Sequence, residues 1–60
     1  MMKLKQLRQK RFLTQEELAE LAGLTPLSIS RWENGKRKPR FKSIRRLAKA
    51  LKVDPEEIEF

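Results

Sequence analysis

Cysteine and histidine are both missing from this 60-residue chain. Without cysteine there is no disulfide, and without either residue there is no ordinary zinc site. Glycine numbers two, and no glycine-rich run exists to cradle a phosphate. No stretch approaches the roughly 20 apolar residues of a membrane span. Met1-Met2-Lys3 does not lead into an apolar run either, so no signal peptide is expected. The remaining carboxylates are accounted for by helix starts, and no nucleophile sits with a base. These absences argue against an enzyme, a cofactor protein and a metalloprotein. The lack of cysteine also fits a reducing compartment.

A chain of this length is one domain, and it buries only about 60% of its unfolded surface. Lacking staples, it must rely on well-packed, well-capped helices. What it has in excess is positive charge. Fifteen Lys and Arg against eight Asp and Glu give a formal +7. That balance points to a polyanion, either nucleic acid or an anionic membrane surface. The signs are also segregated. Acids gather at Glu16, Glu17 and Glu20 and from Asp54 to Glu59, whereas bases crowd Lys3 to Arg11 and Arg31 to Lys52. Such separation predicts a basic face.

The apolar pattern is helical throughout. Helix 1 is expected from about Lys3 to Arg11, with Leu4 and Leu7 on one face. Helix 2 is expected to start at Gln15, because Thr14 and Glu17 form a capping box and Leu13 with Leu18 has the staple spacing. Its buried side would carry Leu18, Leu21 and Ala22, and Gly23 would end it. Helix 3 follows at once, with Thr25 as cap, Pro26 at the first position and a Leu24–Ile29 staple, and ends near Asn34 before Gly35. Phe41, Ile44, Leu47, Ala48 and Leu51 mark helix 4. Asp54-Pro55-Glu56-Glu57, with Val53 and Ile58 as staple, predicts a short helix 5. Trp32 and Phe41 are expected in the core.

Only Gly23, Leu24 and Thr25 separate helices 2 and 3, so they must cross steeply, as in a helix-turn-helix over about residues 15–34. Ala19 provides the small side chain at the crossing. With Ile29 and Trp32 inward, Leu27, Ser30, Arg31 and Asn34 fall on the outer face of helix 3. The membrane reading of the charge, a basic peptide lying on an anionic surface, fails on the caps and the turn, which specify a packed globule.

The ordered set Leu13-Thr14-Gln15-Glu16-Glu17-Leu18-Ala19, Gly23-Leu24-Thr25 and Ile29-Ser30-Arg31-Trp32-Glu33-Asn34-Gly35-Lys36 resembles the Cro/cI-type (XRE) helix-turn-helix repressors of phages and bacteria. The resemblance runs from Leu7-Arg8 through Leu47-Ala48-Lys49-Ala50-Leu51, nearly the whole chain. It implies an all-α, compact five-helix domain over 1–60, an origin in a bacterium, archaeon or phage, and a cytoplasmic, nucleoid-associated site of action. The expected function is sequence-specific binding of double-stranded DNA, as a transcriptional repressor bound to a two-fold-symmetric operator as a homodimer. Ile58 and Phe60 are the expected dimer contact.

Leu27, Ser30 and Arg31 are the candidate base readers. Arg31 can take guanine O6 and N7 together, and Leu27 can touch a thymine methyl. Many relatives carry a polar residue at Leu27, and often at Pro26. Backbone contacts are expected from Gln15, Thr25, Asn34, Lys36, Arg37, Lys38, Arg40 and Lys42, with Arg45 and Arg46 as weaker candidates. Arg40 could instead enter a narrow minor groove. The resemblance implies a structural salt bridge between Arg8 and Glu33. Phe12 and Lys52 stand where relatives often have glycine, and Arg40 is a poor cap for helix 4. The competing reading is an antitoxin or adaptor whose main partner is a protein such as a toxin, suggested by exposed Leu27 and the acidic, apolar stretch Glu56 to Phe60.

Overall fold

Four α-helices account for most of the chain in a computed structural model that describes residues 2–60. Met1, where the leader reading begins, lies outside the described residues. The helices are α1 (Leu4–Lys10), α2 (Gln15–Ala22), α3 (Pro26–Glu33) and α4 (Phe41–Leu51). Thr14 Oγ1 accepts from the Glu17 N–H at 3.0 Å while the Glu17 carboxylate accepts from the Thr14 N–H at 2.8 Å, closing the expected box. Thr25 Oγ1 accepts from the Ser28 N–H at 3.2 Å and starts α3. Arg40 gives α4 no side-chain cap. Among the described residues no helix is long and apolar enough to cross a membrane.

All four helices end in the same way. A backbone N–H reaches back five residues across a single left-handed residue: Leu13 to Arg8 O, Leu24 to Ala19 O, Lys36 to Arg31 O and Val53 to Ala48 O, at 2.8 to 3.2 Å. These bonds satisfy carbonyls that the helix ends would otherwise orphan. The left-handed residues are Phe12, Gly23, Gly35 and Lys52, with φ of 56°, 70°, 72° and 58°. Two are glycines, for which this conformation is easy. Phe12 and Lys52 hold it despite a Cβ that crowds the following carbonyl.

The fifth helix does not form. Pro55–Glu57 makes one 3-10 turn, and the chain then extends as strand β2 (Ile58–Glu59). Strand β1 (Met2–Lys3) pairs with it in parallel, Met2 opposite Ile58 and Lys3 opposite Glu59. Asp54 still opens the turn, its N–H donating to the Glu57 carboxylate at 2.9 Å. But Ile58, three residues past Pro55, is drawn into the core at 5% exposure. An extended backbone delivers it there while β1 satisfies the backbone polar groups.

The core gathers Leu4 and Leu7 of α1, Leu18, Ala19 and Ala22 of α2, Ile29 of α3, Leu47, Ala48 and Leu51 of α4, and Ile58. Ala19 is 1% exposed, and α2 packs against both α3 and α4. Two expectations need correction. Leu21 is 61% exposed, not buried. The buried arc of α2 runs from Leu18 through Ala22 to Ala19, and at about 100° per residue Leu21 lies roughly 110° from its centre. Phe41 is 86% exposed, not core. Helical side chains lean toward the N-terminus, and as the first residue of α4 Phe41 leans beyond the end of the helix and off the core.

Candidate nucleic-acid interface

Helix α3 divides its two sides sharply. Ile29 is fully buried and Trp32 packs half-buried against the core. On the other side Leu27, Arg31 and Asn34 are exposed and Ser30 is half-buried. Asn34 Nδ2 donates to Ser30 Oγ at 3.4 Å, and Thr25 Oγ1 donates to Ser28 Oγ at 3.0 Å. Arg31 makes no side-chain hydrogen bond or ion pair among the described residues, so its guanidinium is free for a ligand. An eight-residue helix is about 12 Å long, comparable with the width of the major groove.

The basic loop lies beside this face. Arg31, Ser28 and Trp32 share a cleft with Arg37, Lys38, Pro39, Arg40 and Ser43, of about 220 Å³. The fold thus brings Arg37, Lys38 and Arg40 to Arg31. Lys36 is exposed just after Gly35. Lys42 lies elsewhere, along a second basic strip with Arg45, Arg46 and Lys49 of α4.

Behind α3 lies a charged cluster of the opposite character. Arg8 and Glu33 form a two-pronged ion pair, Nε to Oε2 at 2.6 Å and Nη2 to Oε1 at 3.1 Å, with the two side chains 11% and 2% exposed. Arg8 Nη1 also donates to the Leu13 carbonyl at 2.7 Å. The hydrogen bonds to Glu33 raise the Arg8 pKa above its ordinary value against the opposing effect of burial. Gln15 Nε2 donates to Glu33 Oε1 at 3.1 Å. The Gln15 amide is therefore tied into this cluster, which leaves its helix-start backbone N–H as the group free to meet a phosphate. One clamp escaped sequence reasoning altogether. Arg11 Nε donates to the Leu51 carbonyl at 3.0 Å, fastening the end of α1 to the end of α4. Nothing local to Arg11 signals this, since the residues are 40 apart. The proposed dimer contact also changes, because Ile58 is buried within its own chain and Phe60 packs half-buried against the core.

This arrangement can be set beside known proteins. The profile of the helix-turn-helix family matches residues 4–58. The chain belongs to the Cro/cI-type helix-turn-helix family. It is 41% identical over 56 residues to the HTH-type transcriptional activator BcrR of Enterococcus faecalis, covering 93% of this chain and 28% of that protein. To the HTH-type transcriptional repressor RghR of Bacillus subtilis strain 168 it is 43% identical over 58 residues, 95% of this chain and 43% of that one. The chain thus spans less than half the length of these relatives. Among solved structures it is similar to the restriction-modification controller protein C.AhdI of Aeromonas hydrophila, at a TM-score of 0.87 and 39% identity over 90% of this chain and 82% of that one. It is also similar to the P22 c2 repressor in complex with a synthetic operator, at 0.84 and 28%, over 88% and 80% of the two chains.

Proposed function

We propose that this chain is the sequence-specific DNA-binding domain of a transcriptional regulator. It lays the outer face of α3 in the major groove of double-stranded DNA, and two copies occupy a two-fold-symmetric operator. The observation that carries this reading is the free Arg31 on the exposed side of α3, in a cleft shared with Arg37, Lys38 and Arg40. Arg31 is the base reader, bidentate to a guanine. Leu27, one turn nearer the start of α3, contacts a thymine methyl, and Ser30 completes the reading face. Lys36, Arg37, Lys38 and Arg40 follow the sugar-phosphate backbone, where each neutralised phosphate releases counterions and makes binding fall with salt. Thr25 and Asn34, at the two ends of α3, and the Gln15 N–H add backbone contacts. Lys42, on the other strip, joins them only at the edge.

Membership of a family that includes the c2 repressor supports the reading. The relatives include one named an activator and one named a repressor, so the place of the operator relative to the promoter sets the direction of regulation. Repression here would be by occlusion of the promoter. The protein acts where the DNA lies, in the nucleoid of the cytoplasm. The hint of a protein partner at the C-terminus weakens, since Ile58 belongs to the chain's own core.

Selection of bound duplexes from a random library at physiological salt, with the wild type and Arg31→Ala, tests this. The expected result is an enriched inverted repeat, with preference lost at one guanine of each half-site in the variant. No enriched sequence, with binding that merely fades as salt rises, would sink direct readout and leave an architectural binder.

A further inference from the structure

A second concave surface lies between the C-terminal ends of α2 and α4. It is a groove of about 530 Å³ lined by Leu21, Ala22, Arg46, Lys49, Ala50 and Lys52, with no residue of α3. Its floor is apolar. Leu21 is 61% exposed there, a large side chain left uncovered on a helix whose other leucine is fully buried. Its rim is cationic. Arg46, Lys49 and Lys52 have no carboxylate within ion-pair distance among the described residues. Arg46 is held over the groove by the HTH turn itself, its Nη1 donating to the Gly23 carbonyl at 3.4 Å. Lys52 keeps a left-handed backbone, φ 58°, where a glycine would sit without strain.

We infer that this groove docks an acidic amphipathic segment of a partner protein, an apolar side chain settling on Leu21 and Ala50 with carboxylates facing Arg46, Lys49 and Lys52. Charge complementarity selects the occupant. A DNA backbone offers anions but nothing apolar to cover Leu21. A helix laid into a groove, with its apolar stripe down and carboxylates on both shoulders, meets both the floor and the rim. The arrangement leaves α3 uncovered, so partner and DNA can be bound together.

The test uses the 60-residue chain, isotope-labelled, and a fluorescent synthetic peptide with leucines at helical spacing and glutamates elsewhere. A scrambled peptide of the same composition is the control. Saturable binding is expected, with amide shifts confined to Leu21–Ala22 and Arg46–Lys52. Leu21→Gln should weaken peptide binding by roughly tenfold or more, the loss of a central apolar anchor, and Lys49→Gln by severalfold. Both positions are exposed, so both variants should melt as the wild type does, and Leu21→Gln, which removes no charge, should bind duplex DNA unchanged. The inference is overturned by absence of saturable binding, by equal binding of the scrambled peptide, or by shifts that fall on α3. It is also overturned if Lys49→Gln and Leu21→Gln weaken duplex binding as much as Arg31→Ala, which would give this face to DNA.

Discussion

Two arginines on opposite sides of α3 have opposite fates. Arg8, brought in from α1, gives all its reach to the protein, bridging Glu33 and the Leu13 carbonyl in a pocket where both charged side chains are almost dry. The Arg31 side chain is exposed and bonds to nothing in its own chain among the described residues. Both add one unit to the same formal charge. The difference teaches that net charge does not locate an interface; what does is which cations the fold leaves without partners. On that measure α3 has a structural back, where Glu33 gathers Arg8 and Gln15, and a front whose arginine its own chain leaves unbonded.

The largest effect should come from breaking the back. Arg8→Ala strands the Glu33 carboxylate and the Leu13 carbonyl in a buried place, which costs about 3–5 kcal/mol for a buried pair cut on one side. For a domain this small that is a large share of total stability, and each kcal/mol moves the midpoint by roughly 4–8 °C. The expected melt is more than about 10 °C lower, or absent. Replacing both partners, Arg8→Met with Glu33→Leu, should recover part of the loss because no lone charge remains. A melting curve for Arg8→Ala that overlays the wild type would erase the distinction between the two arginines.

The front should respond in the other measurement. Arg31→Ala should leave the melting midpoint nearly where it is, since no side-chain hydrogen bond or ion pair within the chain is lost. Discrimination at one guanine should fall by about 1–3 kcal/mol, read as binding to the selected duplex against one changed at that pair. If affinity instead dropped equally on every sequence, Arg31 would be gripping phosphate.

How far these two sides could be seen in the sequence depends on how local their causes are. The starts of α2 and α3 were legible because Thr14, Glu17, Thr25 and Pro26 act within one turn of themselves. Ile29 inside and Leu27 with Arg31 outside followed from helical spacing once the short turn fixed the crossing. Leu21 was misplaced because a hydrophobic residue three positions from Leu18 looks inward, whereas the small residues Ala22 and Ala19 complete the buried arc on the other side of Leu18. The strand pairing of Met2–Lys3 with Ile58–Glu59 joins the two ends of the chain, and no local pattern announces a two-residue partner so distant. Arg11 on the Leu51 carbonyl is hidden for the same reason.

Exposure alone does not mark a ligand site, and Phe12 shows why. It is 94% exposed, more so than Leu27 at 59%, yet it ends α1 with φ of 56°. Removing its side chain forfeits almost no packing and relieves a conformation that costs an L-residue about 1–2 kcal/mol, offset in part by the extra freedom of glycine when unfolded. Phe12→Gly should therefore stabilise by about 1 kcal/mol, raising the midpoint by several degrees, with duplex binding unchanged. Lys52→Gly should give a similar gain at the end of α4 while removing a cation from the groove rim. A loss of duplex affinity in Phe12→Gly would mean that the α1–α2 connection touches DNA, and the division into one reading face would have to widen.

The smallest effect tests the finest feature of that face. Leu27 cannot form the hydrogen bonds of the polar residues many relatives carry there, so its contribution must come from apolar contact. The thymine C5-methyl is the one apolar group that a major-groove base edge presents. Exchanging deoxyuridine for thymidine removes that methyl and leaves every hydrogen-bonding group in place. At the position Leu27 meets, the substitution should weaken binding by about 0.8 kcal/mol, the value of one buried carbon, or roughly fourfold. Leu27→Ala should make the protein indifferent to the same exchange, while Arg31→Ala should not. If deoxyuridine is tolerated at every thymine of the selected operator, Leu27 is exposed without reading anything, and the specificity of α3 rests on Arg31 and Ser30 alone.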